Sequence, residues 1–246
     1  MKHQMTGLLV GGLLLALAPA APAATVTVRA EGGAGPLLAA TPVATPAGSV
    51  AKDGNAAHAC AANSVVGALE AATAGDWAAG PWSDSYSDTT VERIKGESYP
   101  FSQDQYYWEF VRNDETTSTG VCQTKLADGD EVLFIKRCYM ATSGCWTGKV
   151  LATKAPATAR PGEAFPVSVQ EVGTSYGPAP DYAPTTTRTA SGGAAISGGG
   201  ASATTGADGG ATVTLADRGP QTLRVTKGDN VPDEVVVCVT DGADGF

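Results

Sequence analysis

The sequence predicts an α+β domain with one helix, followed by an all-β sandwich. Three observations carry this expectation. All four tryptophans precede Gly148, and twelve of the sixteen aromatic residues lie between Trp77 and Trp146, whereas residues 148–246 are rich in Gly, Ala, Thr and Pro. A compositional shift this sharp marks a domain boundary. The first half contains one helical periodicity, over residues 64–74, among runs that alternate apolar and polar residues. The second half contains about seven short alternating runs separated by Gly, Pro or Asp-Gly turns, the spacing of a β-sandwich.

The elements follow in order. Lys2 and His3, an apolar run over residues 5–17 and the small-x-small site Ala21-Pro22-Ala23 form a secretory signal, residues 1–23. The run is too short to span a bilayer comfortably. Thr25-Val26-Thr27-Val28-Arg29 is an alternating strand, and residues 36–45 give a second extended stretch. Asn63 is placed to cap the helix, Val65, Val66, Leu69 and Ala72 form its apolar stripe, and Gly75 ends it. Gly67 inside it costs roughly 1 kcal/mol relative to Ala. A polar, aromatic loop over 76–90 leads to strands at 91–94, 106–112, 121–126 and 131–135, with Asp128-Gly129 as the hairpin turn between the last two. Alternation along the 106–112 strand puts Tyr106, Trp108 and Phe110 on one face and Tyr107, Glu109 and Val111 on the other. A carboxylate prefers water, so the Trp108 face is expected to be the core. In the second half the strands are 149–153, 165–172, 194–197, 201–204, 211–215, 222–227 and 234–239, and residues 176–200 read as a long mobile loop.

The formal net charge is −9, and removing Lys2 with the signal makes it one unit more negative. The basic residues are scattered. An acidic chain without a basic stripe repels phosphate backbones and anionic lipid, so nucleic acid is not an expected partner and no membrane anchor is expected after signal cleavage. High Ala and Gly with little Lys predicts a GC-rich bacterial gene. Five cysteines remain after export, Cys60, Cys122, Cys138, Cys145 and Cys238, and an exported chain meets an oxidising compartment where bridges form. There is no CxxC, and His58 alone cannot complete a Cys/His zinc set, so neither a metal nor any other cofactor is expected.

The first half, residues 24–147, resembles the DUF4430, transcobalamin-C-terminal-like domain family. The resemblance rests on the order of five pieces: the Val26–Arg29 strand, the helix Asn63-Ser64-Val65-Val66-Gly67-Ala68-Leu69-Glu70-Ala71-Ala72, Ile94-Lys95-Gly96-Glu97, Tyr107-Trp108-Glu109-Phe110, and Leu126-Ala127-Asp128-Gly129-Asp130-Glu131-Val132. It implies a β-grasp-like module. In cobalamin carriers of that family the domain covers the ligand from one side against a separate helical domain. This chain has no such helical domain, so cobalamin binding does not transfer. The second half, residues 148–246, resembles bacterial Ig-like domains in its Asp-Gly-x-Ala-x-Val-x-Leu run at Asp208 and the strand ending in Thr226-Lys227-Gly228. A β-grasp-like layout implies Cys60–Cys122 and Cys138–Cys145, with Cys238 unpaired or joined to another chain; the crossed alternative is Cys60–Cys138 with Cys122–Cys145.

No residue constellation carries chemistry. Asp114, Glu115, Asp128, Asp130 and Glu131 sit in or beside turns, where Asp serves turn geometry, and no Gly-x-Ser-x-Gly elbow accompanies His58. No enzyme is expected. The functional handle is aromatic: Trp77, Trp82, Tyr86, Tyr99, Phe101 and Tyr107 crowd the region after the helix, and such rings anchor flat ligands, sugars and partner proteins. Trp77, Trp82, Tyr86 and Tyr107 form the candidate binding face, with Trp82 expected to be exposed. The expected function is a secreted, non-enzymatic binding protein whose first half recognises a small ligand or an extracellular or cell-envelope protein. The alternatives are a structural or adhesive surface component and a cobalamin scavenger.

Overall fold

The computed structural model describes residues 23–100, 105–139, 143–178 and 184–242, so the predicted signal segment up to residue 22 and Phe101 lie outside the described residues. The first half runs β1 (Thr25–Gly32), β2 (Gly35–Ala44), β3 (Ser49–Val50), β4 (Cys60–Ala61), α1 (Val65–Thr73), β5 (Trp77–Ala79), β6 (Val91–Ile94), β7 (Glu97–Ser98), β8 (Tyr106–Arg112), β9 (Glu115–Thr116) and β10 (Glu131–Cys138). The second half runs β11 (Val150–Lys154), β12 (Thr158–Ala159), β13 (Ala164–Tyr176), β14 (Pro184–Ala190), β15 (Ala195–Gly198), β16 (Ala201–Thr204), β17 (Gly210–Thr214), β18 (Gly219–Thr226) and β19 (Asp233–Val239).

The α+β expectation is overturned. The chain is predominantly β, with 52% strand and 6% helix. Reading the first half as an α+β module overweights one nine-residue helix. It also misses two- and three-residue strands that are too short to show a period, such as β3, β4, β5, β7 and β9. The Ig-like sandwich does not stand as expected either. Residues 176–200, read as a mobile loop, contain β14, and β15 lies where the sequence predicts a strand over 194–197. The Thr-rich run of β14 is mostly exposed on an edge, where no apolar alternation is needed.

The main sheet of the first half has the order β2-β1-β10-β8-β9, with β1 and β10 parallel and the other pairs antiparallel. One face packs Val26, Val28, Trp108, Val132 and Phe134 against Val65, Val66 and Leu69 of α1. The opposite face is not open to water. Val111, Leu133 and Ile135 pack against Val150, Ala152, Val172 and Val231 of the second half. Burial on both faces explains the unbroken apolar run Val132-Leu133-Phe134-Ile135 in β10. The second half forms two sheets, β11-β13-β14 with β17 also on β13, and β12-β19-β18-β15-β16. Phe165, Val167, Val169 and Val213 of the first meet Ile196, Leu223, Val225 and Val237 of the second in one core.

Residues 121–126 are not a strand; they close the start of α1. The carbonyls of Thr124 and Val121 accept from Val65 N and Val66 N at 3.2 and 3.3 Å. These main-chain acceptors replace a side-chain cap for the helix's first free donors. Ser64, not Asn63, is the N-cap residue, and its side chain makes no capping bond. Cys60–Cys122 fastens the same segment, with Cα atoms 4.8 Å apart, and Cys138–Cys145 closes the short loop after β10. Cys238 is free. A 62-residue separation places the first bridge among those that contribute roughly 2–4 kcal/mol.

Gly67 is fixed by close approach. A Cβ there would lie 1.8 Å from the Ala62 carbonyl oxygen. Gly67→Ala should therefore lower stability by roughly 1–3 kcal/mol, although Ala is the better helix former. Urea denaturation checks this, and a stabilised variant would contradict the packing described.

Candidate functional site: a cleft between the two halves

The four aromatic residues expected on one binding face are dispersed. Trp77 is removed from it. It is 2% exposed, its indole N–H donates to Glu70 Oε2 at 2.6 Å, and Lys52 Nζ lies 4.9 Å above its ring. Trp82 is half-buried rather than exposed, stacked on His58 with ring centroids 4.9 Å apart. The hydrogen bond from His58 holds the Asp53 carboxyl below its usual range. Tyr86 is 73% exposed. Its loop is nonetheless held firmly. Asp88 Oδ1 accepts from Thr89 N at 2.8 Å and Cys122 N at 3.0 Å, Ser83 and Asp88 pair through their backbones, and Gln123 Nε2 donates to the Tyr86 carbonyl. Tyr99 belongs to a separate cluster with Tyr106 and Trp108, with Lys136 Nζ over the Tyr99 and Tyr106 rings.

Tyr107 pairs across β8 and β10 with Arg137, a residue of a cleft that Tyr107 itself does not line. Alternation in β8 puts it on the face of Glu109 and Val111, which turns toward the second half. Where the sheets of the two halves diverge they leave a cleft of about 530 Å³. Glu109, Asp114, Arg137 and Trp146 line it from the first half, and Lys149, Val172, Gly173, Thr174 and Tyr176 from the second. Glu109 and Arg137 form an ion pair, with side chains 18% and 16% exposed. Arg137 Nη1 also donates to the carbonyls of Trp146 and Gly148, at 3.1 and 2.8 Å. The guanidinium is thus oriented by three acceptors, and Nη2 has no hydrogen-bond partner among the described residues. Burial raises the hydroxyl pKa of both Tyr107 and Tyr176, and the nearby Glu109 charge pushes the same way.

Asp114 stands at the turn between β8 and β9. Asn113 and Asp114 both have positive φ, 53° and 66°, as a two-residue hairpin turn requires. The turn brings Asp114 to 3.8 Å from Arg188 of β14, whose Nη2 also donates to Glu115 Oε1 at 3.1 Å. Burial, reinforced by the Asp233 and Glu131 carboxylates, raises the Asp114 pKa to about 7. Glu131 is raised by burial and then by Asp233.

Between this cleft and the α1 side runs a buried charge cluster. Arg29 donates to Asp233 Oδ1 at 2.9 Å and to the Pro232 carbonyl at 2.8 Å. Glu31, 1% exposed, accepts two bonds from Arg224, at 2.8 and 2.9 Å. Arg224 also holds Glu234 at 2.7 Å, and Asp233 Oδ2 accepts from Thr153 N. The one sequence signal for this cluster is Arg29 and Glu31 on the face of β1 opposite Val26, Val28 and Ala30. Nothing in the local pattern identifies Arg224 and Asp233 as their partners.

No group of metal-binding side chains occurs among the described residues, and none of their helices is long and apolar enough to cross a membrane. Compared with known proteins, the chain matches no protein-family model, no curated protein and no solved structure.

Asp114 makes stability depend on pH. Its folded pKa, about 7, lies above the ordinary 3.8. The folded protein therefore keeps a proton that the unfolded chain has lost between those values. This contribution is complete below about 3.8 and is lost as pH rises through about 7. Asp114→Asn tolerates the same turn and removes the slope. From pH 5 to pH 8 the stability difference should move in the variant's favour by roughly 2 kcal/mol, measured by urea denaturation. A difference that does not change with pH would contradict the assignment.

Proposed function

We propose that this chain is a secreted, non-enzymatic binding protein that holds a small polar ligand in the cleft between its two halves. Glu109 and Arg137 form the recognising wall, and β13 faces it. The observation that carries the reading is the oriented Arg137–Glu109 pair. Its guanidinium is fixed by the Trp146 and Gly148 carbonyls, yet it lines an open cleft with one nitrogen uncommitted. A cavity of this size with convergent polar groups at the junction of two units is the usual setting of a ligand site. Export is supported by the signal-like N-terminus and by two disulfides, which persist in oxidising compartments.

A second reading has its own observation. Tyr86 is an exposed ring on a firmly held loop, the arrangement of a protein-partner anchor that loses little entropy on binding.

The two readings separate by mutation. Thr174→Trp fills the cleft from β13, and Tyr86→Ala removes the exposed ring. A small-molecule screen read by protein NMR should give ligands whose binding Thr174→Trp weakens at least about tenfold, roughly 1.4 kcal/mol, while Tyr86→Ala leaves it unchanged. Ligands sensitive only to Tyr86→Ala would contradict the cleft reading.

A further inference from the structure

The cleft's chemistry narrows the ligand class, an inference that rests on the cleft being the binding site. We infer that the cleft binds a neutral saccharide of two or three units.

Charge comes first. Glu109 is paired with Arg137, and Lys149 with Glu171 at 3.4 Å. Asp114 faces Arg188. Glu171 is shared with Lys227 at 2.6 Å. The cleft's own lining carries two carboxyls, Glu109 and Asp114, beside two cations, Arg137 and Lys149, so no cluster of one sign awaits a phosphate or a polyamine. A neutral ligand has no net charge to desolvate, and its hydroxyls need only be re-bonded by the cleft's polar groups.

Hydrogen bonding comes second. Arg137 Nη2 is an open donor. Glu109 Oε1 has only a 3.3 Å contact from Thr116, so it remains an acceptor beside that donor. A donor and an acceptor side by side match two neighbouring hydroxyls, one accepting from the guanidinium and one donating to the carboxylate. The Tyr176 hydroxyl has no partner among the described residues, and Thr174 adds another hydroxyl to the same wall. Hydroxyls both donate and accept, as sugar hydroxyls do.

The third element is a ring surface. Trp146 spends its indole N–H on the Gly32 carbonyl at 3.1 Å, so what it offers the cleft is its ring. Tyr176, 58% exposed, stands at the far wall. Apolar C–H faces of pyranose rings pack on such surfaces while their hydroxyls reach the polar groups. Gly173 keeps the wall between them flat, since a Cβ there would press on Thr187 and Lys149 at 3.3 and 3.4 Å. The volume, about 530 Å³, falls in the ordinary range for small-molecule sites, about 300–1,000 Å³.

The test uses the full mature chain and six probes: maltotriose, cellotriose, xylotriose and chitotriose, with inorganic phosphate and spermidine as charged controls. Tryptophan fluorescence and calorimetry should show at least one trisaccharide binding with Kd between about 10 μM and 1 mM. Tyr176→Ala and Glu109→Gln should each weaken it at least about tenfold, and Tyr86→Ala should not. Retention on the matching insoluble polysaccharide distinguishes a glycan-chain ligand from a free oligosaccharide. Saccharide binding insensitive to Tyr176→Ala and Glu109→Gln, or no trisaccharide bound at about 10 mM, would overturn the inference. Phosphate or spermidine binding that Thr174→Trp abolishes, without saccharide binding, would overturn the saccharide class and leave the cleft as a site.

Discussion

The structure depends on one buried ionic contact, the two-pronged bond from Arg224 to Glu31. Glu31 is 1% exposed and lies near the end of β1 in the first half's main sheet, while Arg224 comes from the second half. A carboxylate that deep in the molecule is tolerated only with its charge matched and its oxygens bonded, and removing one partner of such a pair typically costs about 3–5 kcal/mol. Arg29, two residues earlier on β1, adds a single bond to Asp233 of the second half. Charge pairs of this kind set register more than they add stability. The apolar seam of Leu133, Ile135, Val150 and Val231 supplies the burial, and the ion pairs fix how the two surfaces meet.

The cleft follows from that seam. Where β10 and β11 run together the apolar contact is closed. Toward the ends of β8 and β13 the sheets part, and the Arg137–Glu109 pair occupies the opening. Arg188 closes the other side by gripping the β8–β9 turn. The recognising wall is therefore carried on paired strands, and its arginine is oriented by main-chain carbonyls. A site so placed loses little conformational entropy when a ligand arrives.

Much of the architecture was legible in the residues because it rests on short-range signals. The helix at Val65–Thr73, the divided faces of β8 and the strands that carry the second core all follow from periodicity. The start of the helix was not legible, because its donors are satisfied by carbonyls some sixty residues away, at Val121 and Thr124. Tyr107 and Glu109 were assigned to the correct face, but that face was given to solvent. A carboxylate reads as exposed unless its partner is known, and Arg137 lies on another strand. Trp77 was misread for the converse reason: its indole partner, Glu70, and the overlying Lys52 make a polar-looking segment buried. The fold-class error has another root: two-residue strands such as β9 are too short to show a period, and β14 is an exposed Thr-rich edge strand ordered by pairing with β13.

The claim that the halves form one unit held by the buried charge pair is tested most directly by urea unfolding followed with two probes. All four tryptophans lie in the first half, so their fluorescence reports that half, whereas far-UV circular dichroism reports strands throughout. In the native chain the two curves should coincide. In Arg224→Met, which leaves Glu31 without its main partner, they should separate and the first midpoint should fall. Native curves that already separate, or an Arg224→Met chain that unfolds like the native one, would contradict the account.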